Sequence, residues 1–219
     1  MEGNAVPSST LTARVAGVLF IFASAAAIAG GSLLLPISEP GFLGAGGSRA
    51  PLVTGALLEF ALAVSVAAIA AVLWPMLRRG SEPLAMLYVT TRTLEGVLIA
   101  AGATSALVMT SLAGSPAAAS AGAAVLEARE WTYRIGTLVV FGASAVVLNA
   151  VLVRGREVPR WISWWGLIGG ALLLARGIAE SYGTGLPAAA QAFLAAPIGV
   201  EEMVFAAWLV WKGGARAGT

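Results

Sequence analysis

Seven glutamates and four arginines stand inside stretches that are otherwise apolar enough to cross a membrane: Glu59, Glu95, Glu127, Glu130, Glu180, Glu201 and Glu202, with Arg92, Arg129, Arg134 and Arg176. A charge in hydrocarbon costs about 2.5–3.5 kcal/mol even on insertion scales. Eleven such groups in one small chain require a polar interior. Four arginines can neutralise at most four glutamates, so three carboxyls are left over. Desolvation favours the neutral form of an unpaired acid, and some of these glutamates are therefore expected as neutral acids. A neutral acid near a carboxylate held by arginine is the equipment of general acid–base chemistry. The chain has no aspartate, histidine or cysteine. Thiol chemistry and disulfides are thereby excluded, and zinc, haem and histidine-rich iron sites lose their usual ligands. No metal or other cofactor is expected.

The spacing of these residues says which can meet. Tyr88, Arg92 and Glu95 follow i, i+4, i+7 and share one helical stripe. Glu127, Glu130 and Arg134 share another, and Arg129 and Tyr133 a neighbouring one. Arg92–Glu95, Glu130–Arg134 and Arg176–Glu180 have the spacing of intrahelical pairs, and on a plain structural reading such pairs only make insertion tolerable. Glu59 and Glu202 have no basic residue at i±3 or i±4, which makes them the expected proton donors. Glu95 and Glu130 complete the expected catalytic set. Tyr88, Arg92, Arg129, Trp131, Tyr133, Arg134, Arg176, Glu180, Glu201, Phe205 and Trp208 are expected to bind substrate. Pro197 stands just before Glu201 and Glu202, where it frees a backbone carbonyl and bends the helix. Adjacent helix positions point about 100° apart, so one of the two carboxyls is expected to face the centre. Glu127 is the candidate for simple solvation at an interface. By depth, Arg92, Glu95, Arg129, Tyr133 and Glu202 are expected to line one shared cavity.

Composition sets the class of protein that carries them. The 219 residues are 58% hydrophobic and 11% charged, with a net charge of +2 and a mean hydropathy of +0.87. That is an integral membrane protein. Its basic residues cluster at loop ends and form no contiguous face, which argues against nucleic acid as a partner. The polar segment 1–12 and the apolar run after Arg14 read as a retained first span. Pro/Gly punctuation and charge divide the rest into spans of about 13–36, 52–77, 84–112, 121–153, 161–182 and 188–211. A single six-helix α-bundle domain over residues 1–219 is expected. With the N-terminus inside, inner segments carry Arg14, Arg78, Arg79, Arg154, Arg156, Arg160, Lys212 and Arg216, whereas outer loops carry only Arg49. The positive-inside rule then puts both termini in the cytoplasm. Trp74, Trp161, Trp164, Trp165 and Trp211 fall near the inner ends, as an interfacial aromatic belt would. No inverted repeat of the transporter kind is evident.

Several short motifs sit on this frame: Gly55-Ala56-Leu57-Leu58-Glu59, Trp74-Pro75, Arg92-Thr93-Leu94-Glu95-Gly96, Ala128-Arg129-Glu130-Trp131-Thr132-Tyr133, Pro159-Arg160-Trp161, Trp165-Gly166-Leu167-Ile168-Gly169, and Glu202-Met203 with Trp208. Together they resemble the bacterial membrane family catalogued as domain of unknown function 4386, from the first span to Gly213. The resemblance implies a topology, a bacterial cytoplasmic membrane and a set of shared polar positions, and no reaction. The chain departs from the pattern at Arg134, Arg176 and Glu201, where apolar or amide residues would be expected.

Three functions are compatible with the residues. The first is an intramembrane enzyme on an isoprenoid-like lipophile, an acid-initiated terpene or meroterpenoid cyclase. Such chemistry asks for a Brønsted acid, a dry cavity, aromatic faces for developing cations and a final base. It needs no metal, whereas metal-dependent prenyl transfer typically uses Asp-rich motifs. The second is a proton-coupled small-molecule transporter, since buried glutamates also relay protons. The third is a non-catalytic membrane partner or sensor. Membrane lipid is an expected neighbour in each case, and oligomeric state is left open.

Overall fold

The computed structural model describes residues 9–39, 41–45 and 48–212. Residues 1–8 of the polar start and Arg216 lie outside the described residues. Helix α1 spans Ser9–Leu34, and a 3-10 turn follows at Leu35–Ser38. A four-residue helix α2, Phe42–Ala45, leads into α3, Arg49–Gly80. Helix α4 is Glu82–Leu112, α5 is Ala118–Tyr133 and α6 is Phe141–Gly155. Helices α7, Arg160–Ser181, and α8, Ala188–Lys212, complete the order. No strand occurs among the described residues.

Among the described residues, six continuous helical stretches are long and apolar enough to cross a membrane: Thr10–Ser38, Arg49–Gly80, Glu82–Leu112, Ser120–Gly155, Arg160–Ser181 and Ala188–Trp211. They follow the six expected spans, because uninterrupted apolar runs and Pro/Gly breaks are local signals. The fourth crossing holds a feature the sequence did not announce. Between α5 and α6, residues Arg134–Val140 form a π-helical segment. The wider turn re-aims the side chains on either side of it, and π segments are frequent where a helix builds a site.

Successive helices pack side by side, and α1 also packs on α8, which closes the bundle into a ring. One end carries the tight Ser81 turn and the α6–α7 connector. It will be called the N-terminal face, since α1 starts there. The opposite hairpin face carries the loops after α1, α4 and α7. Near the N-terminal face the core is continuous, with Phe20, Ile69, Leu73, Tyr88, Leu148, Phe205 and Leu209 packed together. Phe20 meets Phe205 edge to face at 5.7 Å, and Phe205 stacks on Trp208 at 6.5 Å. At the hairpin face Ile37 and Phe42 cap a smaller cluster with Leu34, Leu52, Ala106 and Met109.

Association in hydrocarbon depends on packing, so small residues mark the close crossings. A Cβ placed on Gly96 of α4 would stand 2.7 Å from the Ala63 carbonyl oxygen of α3. At Gly169 of α7 it would stand 2.8 Å from the Ile198 nitrogen of α8. The second approach fixes α8 at Pro197–Ile198, one turn before Glu201 and Glu202. Trp161, Trp164 and Trp211 are exposed towards the N-terminal face, where the aromatic belt was expected.

Candidate functional site

Among the described residues, the charged groups that line a cavity fall at two separate sites, where one shared cavity was expected. The first lies in the hairpin half. Arg129 of α5 reaches across to α3, its Nη1 donating to Glu59 Oε2 at 2.9 Å and its Nη2 to Oε1 at 2.7 Å. Nη1 also donates to the Gly102 carbonyl of α4 at 2.6 Å. Gly102 fits this role because a Cβ there would stand 3.0 Å from Thr132 Oγ1. Three helices are thus tied by one guanidinium, and a planar donor fork on a carboxylate is the strong geometry for such a pair. Glu59 has no basic partner on its own helix, but the reading of it as an acid without charge support is corrected: its partner is on another helix, 70 residues away.

Beside this pair opens a pocket of about 420 Å³. Ala27 and Leu35 from the α1 side, Leu62 of α3, Leu98 and Ile99 of α4 and Leu126 of α5 supply apolar wall. Glu59, Arg129, Glu130, Thr132, Tyr133 and Thr137 supply its polar end. Glu130 accepts one hydrogen bond from Arg134 Nη2, at 3.0 Å, and its side chain is 45% exposed. Tyr133 and Thr137 flank the start of the π segment, which presents both to the pocket.

The second site is central. Arg92 of α4 is 3% exposed and donates through Nη1 to both oxygens of Glu95, at 3.1 and 2.9 Å. Its Nη2 lies 3.5 Å from Glu202 Oε1 of α8. Aromatic rings surround it, with its Cζ 5.2 Å from the Phe141 ring and 5.8 Å from those of Phe20 and Tyr88. Such rings favour a desolvated cation. Arg92 stands ten residues before Gly102 on the same helix, about 15 Å along its axis. The two sites are that far apart because α4 carries both. Tyr88, Arg92, Asn149, Glu201, Glu202 and Phe205 line a small cavity here. Both adjacent glutamates reach its edge, where a single inward carboxyl was expected.

Other expected site residues fall elsewhere. Arg176 donates to Glu180 Oε1 at 2.8 Å, to the Gln191 carbonyl at 3.0 Å and to Gln191 Oε1 at 3.2 Å. Gln191 in turn donates to the Leu186 carbonyl at 2.9 Å. Arg176 and Glu180 therefore latch the α7–α8 loop and line neither cavity. Trp131 also lines neither. It is exposed and lies beneath Arg134, whose Cζ is 5.4 Å from its ring. Arg134 and Trp208 contribute through Glu130 and Phe205 rather than to a cavity wall. Glu127 is exposed. Asn149 was missed, although a lone amide in an apolar stretch was a legible signal. Phe20 and Phe141 were missed because ring contacts with Arg92 depend on which helices are neighbours.

These features define a class: a polytopic helical membrane protein whose buried glutamates and arginines form discrete ion-paired sites. The family model described as Domain of unknown function (DUF4386) matches residues 15–213. The chain belongs to that family. No curated protein and no solved structure matches it.

Proposed function

We propose that the protein is an intramembrane enzyme that acts on an uncharged, isoprenoid-like lipophile held in the pocket between α1, α3, α4 and α5. The observation that carries this reading is the apolar pocket of about 420 Å³ that ends on Glu59, Arg129, Glu130 and Tyr133. Apolar walls with a few convergent polar groups suit one chain of such a molecule and orient its head. Arg129 and Arg134 are already engaged by Glu59 and Glu130. The polar end therefore favours an epoxide, hydroxyl or carbonyl over a phosphate.

The reaction proposed is an acid-initiated cyclisation. Glu130 gives a proton to an epoxide oxygen. The C–O bond breaks as the π electrons of a neighbouring alkene form a C–C bond. The resulting cation loses a proton to the Glu59 carboxylate, and the product is an isomer of the substrate. Return of that proton to Glu130 resets the site. Glu59 takes the base role because a guanidinium holds both its oxygens, whereas Glu130 receives one hydrogen bond. Tyr133 lines the pocket, and an aromatic ring there would stabilise positive charge. Glu95 and Glu202 stand outside this pocket and have no part in the scheme. The proposed location is a bacterial cytoplasmic membrane with both termini inside.

The test is product formation from an epoxy-terpenoid in membranes, with thermal stability followed for each variant. Glu130→Gln is expected to abolish turnover while lipophile binding persists, and Glu59→Gln to abolish turnover with a lower melting temperature, since it leaves Arg129 without its carboxylate. Full activity in both would end the proposal. The separate central cluster favours a second reading, proton-coupled transport of a similar lipophile. Proton-driven uptake into vesicles without chemical change would select it.

A further inference from the structure

The central cavity is unused by that chemistry, and its walls are incomplete as protein alone. It measures about 10 Å³, roughly the space for the centre of one water molecule. Four polar atoms of its lining residues have no hydrogen-bond partner among the described residues: Tyr88 Oη, Arg92 Nε, Asn149 Oδ1 and Glu201 Oε1. Tyr88, Asn149 and Glu201 are 0, 1 and 2% exposed. Buried polar atoms are rarely left unpaired, because desolvation is then uncompensated. Asn149 Nδ2 donates to the Ala145 carbonyl at 3.0 Å, which leaves Oδ1 as the atom in need of a donor. The Tyr88 hydroxyl and the Arg92 Nε–H donate, while Asn149 Oδ1 and Glu201 Oε1 accept. Two donors and two acceptors are the complement of one water molecule.

Charge adds a second requirement. Glu95 and Glu202 share one cation, Arg92, and Glu201 adjoins Glu202 in the chain and lines the same cavity. Arg92 is bonded to Glu95 and lies 3.5 Å from Glu202. Among the described residues no ion pair reaches Glu201. Of the packed elements, α4 presents Tyr88, Arg92 and Glu95, and α8 presents Glu201 and Glu202. Helix α6 lines the cavity with Phe141, Ser144, Ala145, Leu148 and Asn149, and α1 and α7 bring no charged side chain to it. Arg129, Arg134 and Arg176 are held by Glu59, Glu130 and Glu180. Three carboxylates against one guanidinium would leave uncompensated negative charge in hydrocarbon, which uptake of a proton relieves.

We propose that this cavity is a hydrated proton-binding site, with one internal water bridging Tyr88, Arg92, Asn149 and Glu201 and the proton carried on Glu201 at neutral pH. Glu202 remains the carboxylate that shares Arg92 with Glu95.

Infrared spectroscopy of the purified full chain in lipid nanodiscs tests it. At neutral pH the protein is expected to show a protonated-carboxyl carbonyl band. In a Glu130→Gln background, which removes the proton donor of the proposed cyclisation, that band should be lost on Glu201→Gln and kept on Glu202→Gln. It should change frequency in Tyr88→Phe, which removes one hydrogen bond to the water. Absence of the band in Glu130→Gln, or its survival when Glu201→Gln is added, overturns the proposal. Should Glu201→Gln fail to fold, Tyr88→Phe decides: a moved band supports the site, and an unmoved band refutes it.

Discussion

Arg129 holds both oxygens of Glu59 from another helix, and neither residue has an equivalent partner on its own. Removing one side leaves the other charged and buried, a loss of about 3–5 kcal/mol when the pair is well desolvated. Arg129→Ala is therefore expected to lower thermal stability in detergent much more than Glu130→Ala, whose pair is partly exposed. The exchange of both residues, Glu59→Arg with Arg129→Glu, should recover part of the loss. An Arg129→Ala protein as stable as the unaltered chain would show that the contact contributes little. Glu157 behaves differently. It lies in the connector between α6 and α7, where partial burial raises its pKa and Arg79, 4.0 Å away, opposes the rise. The folded chain thus keeps this proton to higher pH than the unfolded chain does. Its contribution to stability falls as pH rises from about 4 through the carboxyl range. Glu157→Gln should flatten that part of a melting-temperature profile against pH. An unchanged profile would contradict the assignment.

Elements position these residues through contacts between backbones. Helix α4 serves both sites, with Arg92 and Glu95 in one and Gly102 in the other, and its rotation is set where Gly96 meets Ala63 of α3. Gly96→Ala would drive a methyl group against a backbone carbonyl. The expected loss is about 1–3 kcal/mol from overpacking, with both sites disturbed together. Gly199 is a control on α8, since a Cβ there meets nothing within 4 Å. Gly199→Ala should be neutral or stabilising by up to about 1 kcal/mol through helix propensity. Paired melting curves of the two variants check this, and equal effects would sink the packing argument. The π segment Arg134–Val140 acts at the same scale. It shifts the register between the polar groups of α5 and the apolar wall that continues into α6.

At the scale of the molecule the ring of helices is closed tightly in one half and opens in the other. The aromatic core seals the N-terminal half around Tyr88 and Phe205, and the pocket occupies the hairpin half. The basic residues at loop ends predict an orientation, with the N-terminal face in the cytoplasm. The chain has no cysteine, so single cysteines report topology cleanly. Ser48→Cys should react with an impermeant thiol reagent from outside in right-side-out vesicles, and Ser81→Cys only after permeabilisation. The reverse pattern would invert the topology.

Hydropathy, proline and glycine breaks and the basic residues at loop ends were enough to place six spans within a few residues, because insertion depends on each stretch by itself. The pairs Arg92–Glu95, Glu130–Arg134 and Arg176–Glu180 were legible for the same reason: helical spacing fixes neighbours on one helix. Tertiary structure alone decided the partner of Glu59, the division into two cavities and the place of Asn149 beside Glu201. Each depends on which helices adjoin, how far each is rotated and where a π turn changes the register. Those quantities are set by close-packed glycine contacts between segments distant in the chain, and no local pattern encodes them.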